Sequence, residues 1–363
     1  MPVRNLISIE DVSLNWWNEL YNTCRDIISK PDDYIDSCRG RVMASLFFEP
    51  STRTQFSFQA AMQRLGGGVF GFSDPRTTSV SKGETLADTI RIAGSYADTI
   101  VIRSPLEGAA FAASLYADVP VINAGDGGHF HPTQTLADLT TICQKRGKIA
   151  NLCVGLCGDL KYGRTVHSLV MALSKFPGIK FYLISPDELK IPEYMLHYML
   201  LHGQSYEEVT NLEDVLPELD ILYMTRVQRE RFSDPQEYEK LRGCYVFDKK
   251  KLAPAKSDML IMHPLPRVDE IAYEIDYDPR AVYFEQARLG MYIRMALLLQ
   301  FTRLPRELQP KPEANNESRC ESHSCITKVE PSLPSLTVGT KEHFCAYCDK
   351  KILTFRAVND IIF

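Results

Sequence analysis

Short apolar runs alternate with longer stretches of helical spacing along most of the chain. In the first part, the runs Val42–Phe48, Thr99–Arg103 and Val119–Asn123 predict buried strands. Apolar residues recur at helical spacing in Leu14–Ser29 and Glu84–Ala97, which predict helices. Strands that alternate with helices in this way favour a parallel sheet with helices packed on its faces.

The second part repeats the same rhythm. It predicts four strands, at Leu152–Leu156, Lys180–Ser185, Ile221–Thr225 and Met259–Met262. It also predicts three helices, at Arg164–Phe176, Pro192–Leu201 and Gln286–Arg303. The predicted fold class is α/β, with two lobes that each contain a mainly parallel sheet flanked by helices.

The predicted domain boundaries follow from this pattern. The first lobe covers residues 1–133 and the second covers residues 134–304, with the helix at about 286–303 packing back on the first lobe. Residues 305–318 are rich in proline and charge and predict a linker. Residues 319–363 are predicted to form a last module, a small C-terminal β domain that is too short for a large core of its own.

The sequence Ser51-Thr-Arg-Thr54 stands between a predicted strand and a helix that starts at Gln55. Apolar residues recur in that helical segment at helical spacing, at Phe56, Ala60, Ala61 and Leu65. A helix N-terminus favours anions because unpaired backbone N–H groups and the helix dipole meet there, and an arginine adds a fork that suits phosphate. The alternative is a capping sequence with a solvated arginine.

Other polar clusters also follow predicted strands. Arg103 ends one strand, and the segment Asn123–Gln134 follows the next one. A metal site at His129 and His131 lacks a third ligand, so a neutral histidine that donates a hydrogen bond fits better. Each cation has an alternative as a surface ion pair, and the loop Thr77–Glu84 has one as a flexible surface loop. Six cations together favour a cleft for a polyanionic small molecule or for two anions: Arg53, Lys82, Arg103, Arg164, Arg226 and Arg267.

Composition narrows the function classes. The 363 residues carry a net charge of −5, which argues against broad binding to nucleic acid or to anionic membranes. No apolar run approaches the roughly 18 residues of a membrane span, and the N-terminus lacks a signal-peptide core, so we expect a cytoplasmic protein. The Walker A, G-x-S-x-G and H-E-x-x-H motifs are all missing from the sequence.

The ten cysteines fall into two groups. Six are scattered and predict buried thiols of a reduced protein: Cys24, Cys38, Cys143, Cys153, Cys157 and Cys244. The other four have the spacing of two metal-binding knuckles: Cys320, Cys325, Cys345 and Cys348. Four thiolates favour one structural Zn²⁺ per chain, with iron as the minor alternative, and His323 and His343 are expected to be bystanders.

Residues 1–305 closely resemble the catalytic chain of aspartate carbamoyltransferase. The resemblance rests on Phe47-Phe-Glu-Pro-Ser-Thr-Arg-Thr54, Lys82-Gly-Glu-Thr85, His131-Pro-Thr-Gln134, Thr225-Arg-Val-Gln228 and His263-Pro-Leu-Pro-Arg267. The first motif is shared with ornithine carbamoyltransferase, whereas the two histidine motifs resemble the aspartate branch. The resemblance implies transfer of a carbamoyl group from carbamoyl phosphate to L-aspartate, an early step of pyrimidine biosynthesis, without a cofactor for the chemistry.

The resemblance also implies the role of each site residue. The implied catalytic residues are Arg53, Thr54, Lys82, Arg103 and His131. The carbamoyl phosphate site would contain Ser51, Thr52, Arg53, Thr54, Thr78, Lys82, Arg103, His131, Gln134 and the carbonyls of Pro264 and Leu265. The aspartate site would contain Lys82, Arg164, Arg226 and Gln228. In the family the site lies between subunits of a homotrimer, and the neighbouring chain supplies the Lys82 loop. Either Thr78 or Ser79 supplies the hydroxyl of that loop.

The C-terminal module resembles the zinc domain of the separate regulatory chain of the same enzyme, in the spacing of its cysteines and in Cys325-Ile326. The nucleotide-binding domain of that chain has no counterpart here, so we expect no regulation by CTP or ATP. Higher assembly, and the chain on which the module docks, stay open. Two alternative functions remain at this point: a carbamoyltransferase with another acceptor such as ornithine, and an inactive zinc-dependent scaffold.

Overall fold

The computed structural model describes residues 4–227, 245–308, 319–339 and 342–352. The chain forms two compact units. The first contains Met1–Asp11, Asn22–Phe130 and Arg294–Phe363, and the second contains Val12–Tyr21 and His131–Ile293. Helix α1 (Leu14–Ser29) has the bounds that its apolar pattern predicts.

The first unit contains a four-stranded parallel sheet of β1 (Val42–Phe47), β2 (Gly68–Phe72), β3 (Thr99–Ser104) and β4 (Val121–Asp126). The strand order is β2-β1-β3-β4, so the chain changes direction across the sheet between β1 and β3. The helices in this part are α2 (Thr52–Arg64), α3 (Leu86–Tyr96) and α4 (Ala109–Ser114). Strands β3 and β4 are buried throughout, because both faces of a parallel sheet are covered.

The second unit contains a five-stranded parallel sheet of β5 (Leu152–Cys157), β6 (Ile179–Ile184), β7 (Ser205–Val209), β8 (Ile221–Met224) and β9 (Leu260–Met262). Its order, β7-β6-β5-β8-β9, places the change of direction between β5 and β8. The helices of this part are α5 (Pro132–Arg146), α6 (Arg164–Leu173), α7 (Glu193–Leu201) and Lys249–Leu252. A long helix, Tyr283–Phe301, ends within the first unit. The predicted α/β class with two parallel sheets is confirmed.

The elements that were not predicted include β2, β7, α4, α5 and the short helix Lys249–Leu252. Strands β2 and β7 lie at sheet edges and are largely exposed, so neither carries a continuous apolar run. Phe56, one residue of the apolar pattern, is exposed. The helix begins at Thr52 rather than Gln55 and buries Phe58, Ala61 and Met62.

The C-terminal module contains two short antiparallel strands, β10 (Thr337–Val338) and β11 (Phe344–Cys345). Its buried residues Leu333, Leu336 and Tyr347 belong to the same apolar core as the alanines of α4. The module therefore gains a core by packing on the first unit of its own chain. No helix in the described ranges is long and apolar enough to cross a membrane.

Of the six scattered cysteines, four are buried: Cys24, Cys38, Cys143 and Cys157. Cys153 is only half-buried, because it stands at the start of β5, and Cys244 lies outside the described residues. Burial raises the pKa of the Cys24 thiol to about 12 and that of Cys143 to about 11, so these groups stay protonated and unreactive.

Candidate active site and metal centre

The sheet of the first unit pairs Arg103 with the end of β1, the strand that leads into the segment Ser51–Thr54. Strands β1 and β3 are hydrogen-bonded neighbours, and Phe47 stands opposite Arg103 in their register. The pairing continues past the strand, since the Phe48 backbone N–H donates to the Arg103 carbonyl at 2.8 Å. In open parallel sheets, ligands bind where the strand order changes direction, beyond the C-terminal ends of the strands. Arg103 therefore stands at the switch point between β1 and β3.

The segment Ser51–Thr54 lies at the N-terminus of a helix, as predicted. Ser51 is the N-cap residue of α2, yet its side chain makes no capping hydrogen bond. Thr52 and Arg53 are exposed, whereas Thr54 is buried. Since the Ser51 hydroxyl is not used for capping, it and the first-turn N–H groups can serve a bound anion.

Arg103 is a buried cation at this switch point. Its guanidinium forms an ion pair with Glu49 at 2.9 Å and donates to the Ala124 carbonyl at 3.2 Å. Burial lowers the pKa of Arg103, and the charge of Glu49 acts in the opposite direction. The Nε atom is buried and has no hydrogen-bond partner among the described residues. A buried guanidinium with a remaining donor suits a ligand with developing negative charge. Glu49, which the sequence analysis did not single out, holds it there.

The Lys82 loop lies in the same unit. Thr78 caps a short 3-10 helix, Ser79–Lys82, by accepting a hydrogen bond from the Val80 N–H at 3.2 Å. Its hydroxyl also donates to the Pro75 carbonyl at 2.7 Å. Ser79 and Lys82 are exposed, and Lys82 forms no ion pair with any described residue. The loop thus presents a cation that its own surroundings do not neutralise.

In the second unit, His131 and Gln134 stand at the start of α5. His131 is the N-cap residue and is buried. Gln134 is half-buried, and its Nε2 donates to Asp138 at 2.8 Å. The spacing from Gln134 to Asp138 is one helical turn, which places both on one face. Asp138 was not identified from the sequence, because the helix that creates this spacing was not predicted.

Arg164 and Arg226 stand at the switch point of the second sheet. Arg164 is the first residue of α6, after β5, and Arg226 follows β8 by two residues. Thr225 joins the two strand ends, since its backbone N–H donates to the Cys157 carbonyl at 2.8 Å. Its hydroxyl also accepts from the Asp159 N–H at 3.1 Å. Two arginines at one switch point suit a ligand with two carboxylates. Gln228, predicted to join them, lies outside the described residues.

The turn after β9 is fixed by a buried histidine. His263 Nε2 bonds Glu270 at 2.7 Å, and its Nδ1 accepts from the Leu265 N–H at 2.7 Å. The prediction that Arg267 is one of the cations available to a ligand was wrong. Its guanidinium is paired with Asp276 and lies over the ring of Tyr273, so it stabilises the turn instead. Pro264 and Leu265 are half-buried at the same turn.

Four buried cysteines of the C-terminal module converge, and their Sγ atoms all lie within 4.8 Å of one another: Cys320, Cys325, Cys345 and Cys348. The Sγ atoms of Cys320 and Cys348 are 3.6 Å apart, and those of Cys325 and Cys345 are 3.8 Å apart. Zn–S bonds of ~2.3 Å in a tetrahedron require S–S separations of about 3.8 Å. The separations in these two cysteine pairs are therefore close to those of a tetrahedral zinc site.

The module is held on the first unit by polar contacts around Glu107. The Glu107 N–H donates to the Ser324 carbonyl at 2.8 Å, and the Ile326 N–H donates to the Glu107 carbonyl at 3.0 Å. The Glu107 carboxylate also pairs with Lys350 at 2.7 Å. Glu107 follows Arg103 by four residues. Docking of the module thus fixes the segment that leads away from the buried arginine.

His129 provides a second polar link to the module. Its Nδ1 lies 3.2 Å from Asp126, and its Nε2 lies 2.9 Å from Asp349, which follows the last cysteine. Burial alone would lower the pKa of His129, but its bonds to the two carboxylates outweigh burial and raise the pKa to about 9. The sequence pattern gave no sign of this pairing, because Asp349 is remote in the chain.

The sequence matches both domains of a known enzyme family. The carbamoyl-phosphate-binding domain of the aspartate/ornithine carbamoyltransferases matches residues 4–144, and their Asp/Orn-binding domain matches residues 150–301. The aspartate carbamoyltransferase catalytic subunit of Clostridium botulinum is 55% identical over 296 residues, which is 81% of this chain and 96% of that protein. That of Lachnoclostridium phytofermentans is 56% identical over 298 residues, or 82% and 97%.

Solved structures with a similar fold belong to the same enzyme family as these sequence relatives. The catalytic subunit of M. jannaschii aspartate transcarbamoylase has a TM-score of 0.77 and 45% identity, covering 82% of this chain and 97% of that chain. The Trypanosoma cruzi enzyme in complex with carbamoyl phosphate and aspartate has a TM-score of 0.77 and 39% identity, covering 82% and 98%. The four clustered cysteines lie beyond the family-matched residues. The chain therefore belongs to the aspartate carbamoyltransferase family, the transferases that move a carbamoyl group from carbamoyl phosphate to L-aspartate.

Proposed function

We propose that the switch point of the first unit binds carbamoyl phosphate and that of the second binds L-aspartate. The observation that carries this proposal is the register of β1 and β3, which pairs the buried Arg103 with the end of the strand that leads into α2. The phosphate would take the hydroxyls and N–H groups of Ser51–Thr54 together with Arg53. The two aspartate carboxylates would be held by Arg164 and Arg226, with Gln228 beside them.

The proposed chemistry needs positioning and electrostatics alone. Arg103, His131 and Thr54 would polarise the carbamoyl oxygen, so that negative charge on it is stabilised as the neutral amine of aspartate attacks. Gln134 would hold the carbamoyl amide, and the carbonyls of Pro264 and Leu265 would orient the reacting groups. The carbon–oxygen bond to phosphate breaks as the new carbon–nitrogen bond forms. The departing phosphate takes the proton of the amine.

The acceptor is tested directly. Purified protein is supplied with carbamoyl phosphate and either L-aspartate or L-ornithine, and the carbamoylated product is measured. We expect N-carbamoyl-L-aspartate from the first mixture and no citrulline from the second. Citrulline as the main product would support the ornithine alternative, and no product from either would support the inactive scaffold.

We propose a homotrimer in which the Lys82 loop of one chain completes the site of its neighbour, with Thr78 or Ser79 as the hydroxyl of that loop. The exposed Lys82, without an ion-pair partner in the described part of the chain, supports a role outside its own surroundings. Mixing inactive Lys82→Ala chains with inactive Arg53→Ala chains should restore part of the activity, because some sites then contain both intact residues. If activity stays absent after subunit exchange is verified by mass, the site is not shared.

We propose that the C-terminal cysteines bind one structural Zn²⁺ per chain, and that the module is a fused counterpart of the regulatory-chain zinc domain. The metal would supply folding energy to a segment too small for its own core. The separations of 3.6 and 3.8 Å between sulfurs support this proposal. We also propose four segments with the boundaries 1–133, 134–304, 305–318 and 319–363. The remaining proposals are a cytoplasmic location, a role in pyrimidine biosynthesis and the absence of control by CTP or ATP.

A further inference from the structure

Asp138 is a fully buried carboxylate that receives hydrogen bonds from three side chains of the second unit. Its Oδ1 accepts from Gln134 Nε2 at 2.8 Å and from Gln286 Nε2 at 2.6 Å. Its Oδ2 accepts from the Tyr223 hydroxyl at 3.0 Å. Burial, and the charge of Asp138, raise the pKa of Tyr223 well above its usual value, so this hydroxyl remains a donor. In each of these three bonds the carboxylate oxygen accepts, which is the pattern of an ionised carboxylate.

This carboxylate determines how the two glutamine amides are oriented. A side-chain amide has an oxygen acceptor and an NH₂ donor of almost the same shape, so packing alone does not choose between its two orientations. An ionised carboxylate can only accept, and it therefore holds the NH₂ group toward itself. In Gln286 the consequence is visible, since the opposite atom, Oε1, accepts from the His263 N–H at 3.0 Å.

In Gln134, the orientation imposed by Asp138 leaves the side-chain oxygen Oε1 available to accept a hydrogen bond. The side chain is half-buried, and its Oε1 accepts no hydrogen bond from any residue in the described ranges. The opposite orientation would turn Nε2 outward and bring Oε1 against the Asp138 carboxylate. Two acceptors would then face each other in a buried site, which is costly. Gln134 is thus held with an oxygen, and not an NH₂ group, directed away from Asp138.

We propose that Asp138 is a specificity-determining positioning residue, which fixes Gln134 to accept a hydrogen bond from the NH₂ group of a carbamoyl donor. This inference rests on the proposed role of Gln134. Acetyl phosphate has a methyl group where carbamoyl phosphate has NH₂ and otherwise presents the same carbonyl and phosphate. A site whose acceptor is fixed rejects that analogue, because the acceptor is then left unpaired.

The test compares carbamoyl phosphate with acetyl phosphate in the full-length protein. The KM for carbamoyl phosphate and the inhibition constant of acetyl phosphate are measured at saturating aspartate, and their ratio gives the discrimination. We expect Asp138→Asn to raise the KM about tenfold, as for the loss of one hydrogen bond to the substrate, because an asparagine permits both orientations of Gln134. The inhibition constant of acetyl phosphate should change by less than about threefold.

Tyr223→Phe is the matched control, since it removes one hydrogen bond from the same carboxylate but leaves the bond to Gln134. Tyr223→Phe should lower the thermal stability of the protein, because a buried hydrogen bond is lost. It should leave the discrimination between carbamoyl phosphate and acetyl phosphate unchanged. If Asp138→Asn discriminates as well as Tyr223→Phe does, the inference is wrong. Should the asparagine variant fail to fold, Asp138→Ser removes the same constraint, because its hydroxyl can donate or accept, and it carries the same expectation.

Gln134→Ala separates this inference from the proposed function on which it rests. If Gln134→Ala leaves the KM for carbamoyl phosphate unchanged, the proposed role of Gln134 itself fails. If Gln134→Ala weakens carbamoyl phosphate but Asp138→Asn does not, only the inference about Asp138 fails. In the double variant, we expect no further loss of discrimination beyond that of Gln134→Ala, because both substitutions remove the same hydrogen bond.

Discussion

Gly108 is the position at which the seating of the C-terminal module can be tested most sharply. It is the N-cap of α4 and has φ of +81°, a left-handed conformation. A Cβ added there would lie against the carbonyl oxygen of Tyr347, 2.5 Å from the Tyr347 Cβ and 2.7 Å from its carbonyl carbon. Tyr347 stands between the cysteines of the second knuckle. Gly108→Ala must therefore displace the backbone that carries two of the clustered cysteines.

Gly40→Ala is the matched control for the backbone strain. Gly40 has φ of +76°, and nothing lies within 4 Å of the position of its added Cβ. Both substitutions cost ~1–2 kcal/mol for an L-residue in this conformation. Only Gly108→Ala adds an overpacking cost, of ~1–3 kcal/mol. The difference between the two variants isolates the contact with the module.

The extra cost should appear as faster metal loss. If the module must open before zinc leaves, ~1–3 kcal/mol increases the open population about 5- to 150-fold. Zinc release into a chromogenic chelator should therefore be faster by such a factor in Gly108→Ala than in Gly40→Ala. Equal release rates, with both variants folded by circular dichroism, would contradict the seating of Tyr347 on Gly108.

Three further outcomes are expected. Arg53→Ala should lower kcat at least ~100-fold because it removes stabilisation of transition-state charge, and near-normal turnover would rule out the proposed phosphate site. Metal analysis should find one zinc per chain, and Cys345→Ser should abolish it; zinc retained at full occupancy would place the metal elsewhere. The raised pKa of His129, about 9, means that its stabilising pairs with Asp126 and Asp349 are complete below its ordinary pKa and lost as the pH rises through 9. Zinc release should therefore accelerate across that range in the native chain relative to His129→Asn, and parallel pH profiles of the two proteins would contradict this.

The sequence predicted most reliably what depends on local pattern. Buried parallel strands such as β1 and β3 read as continuous apolar runs, and Ser51 precedes a helix as expected. The pattern failed where burial is one-sided or low, as at the edge strands β2 and β7. It also failed for α5, where a proline at the first turn and a polar beginning concealed a helix that tertiary packing buries on nearly every side.

In the candidate site, the sequence predicted which residue types are present but not which partners they bind. Arg103 ends one predicted strand and Arg267 follows another, and these positions alone gave no reason to distinguish the two arginines. The structure separates them by their partners: Arg103 keeps a buried donor without a partner in the described ranges, while Arg267 is fully engaged with Asp276 and aromatic rings. The fold brings Asp276 to Arg267 and Asp138 to Gln134, and the sequence pattern alone does not show either pairing. A sequence motif can therefore nominate the groups that touch a substrate, whereas the residues that fix their orientation become identifiable only once the fold places them.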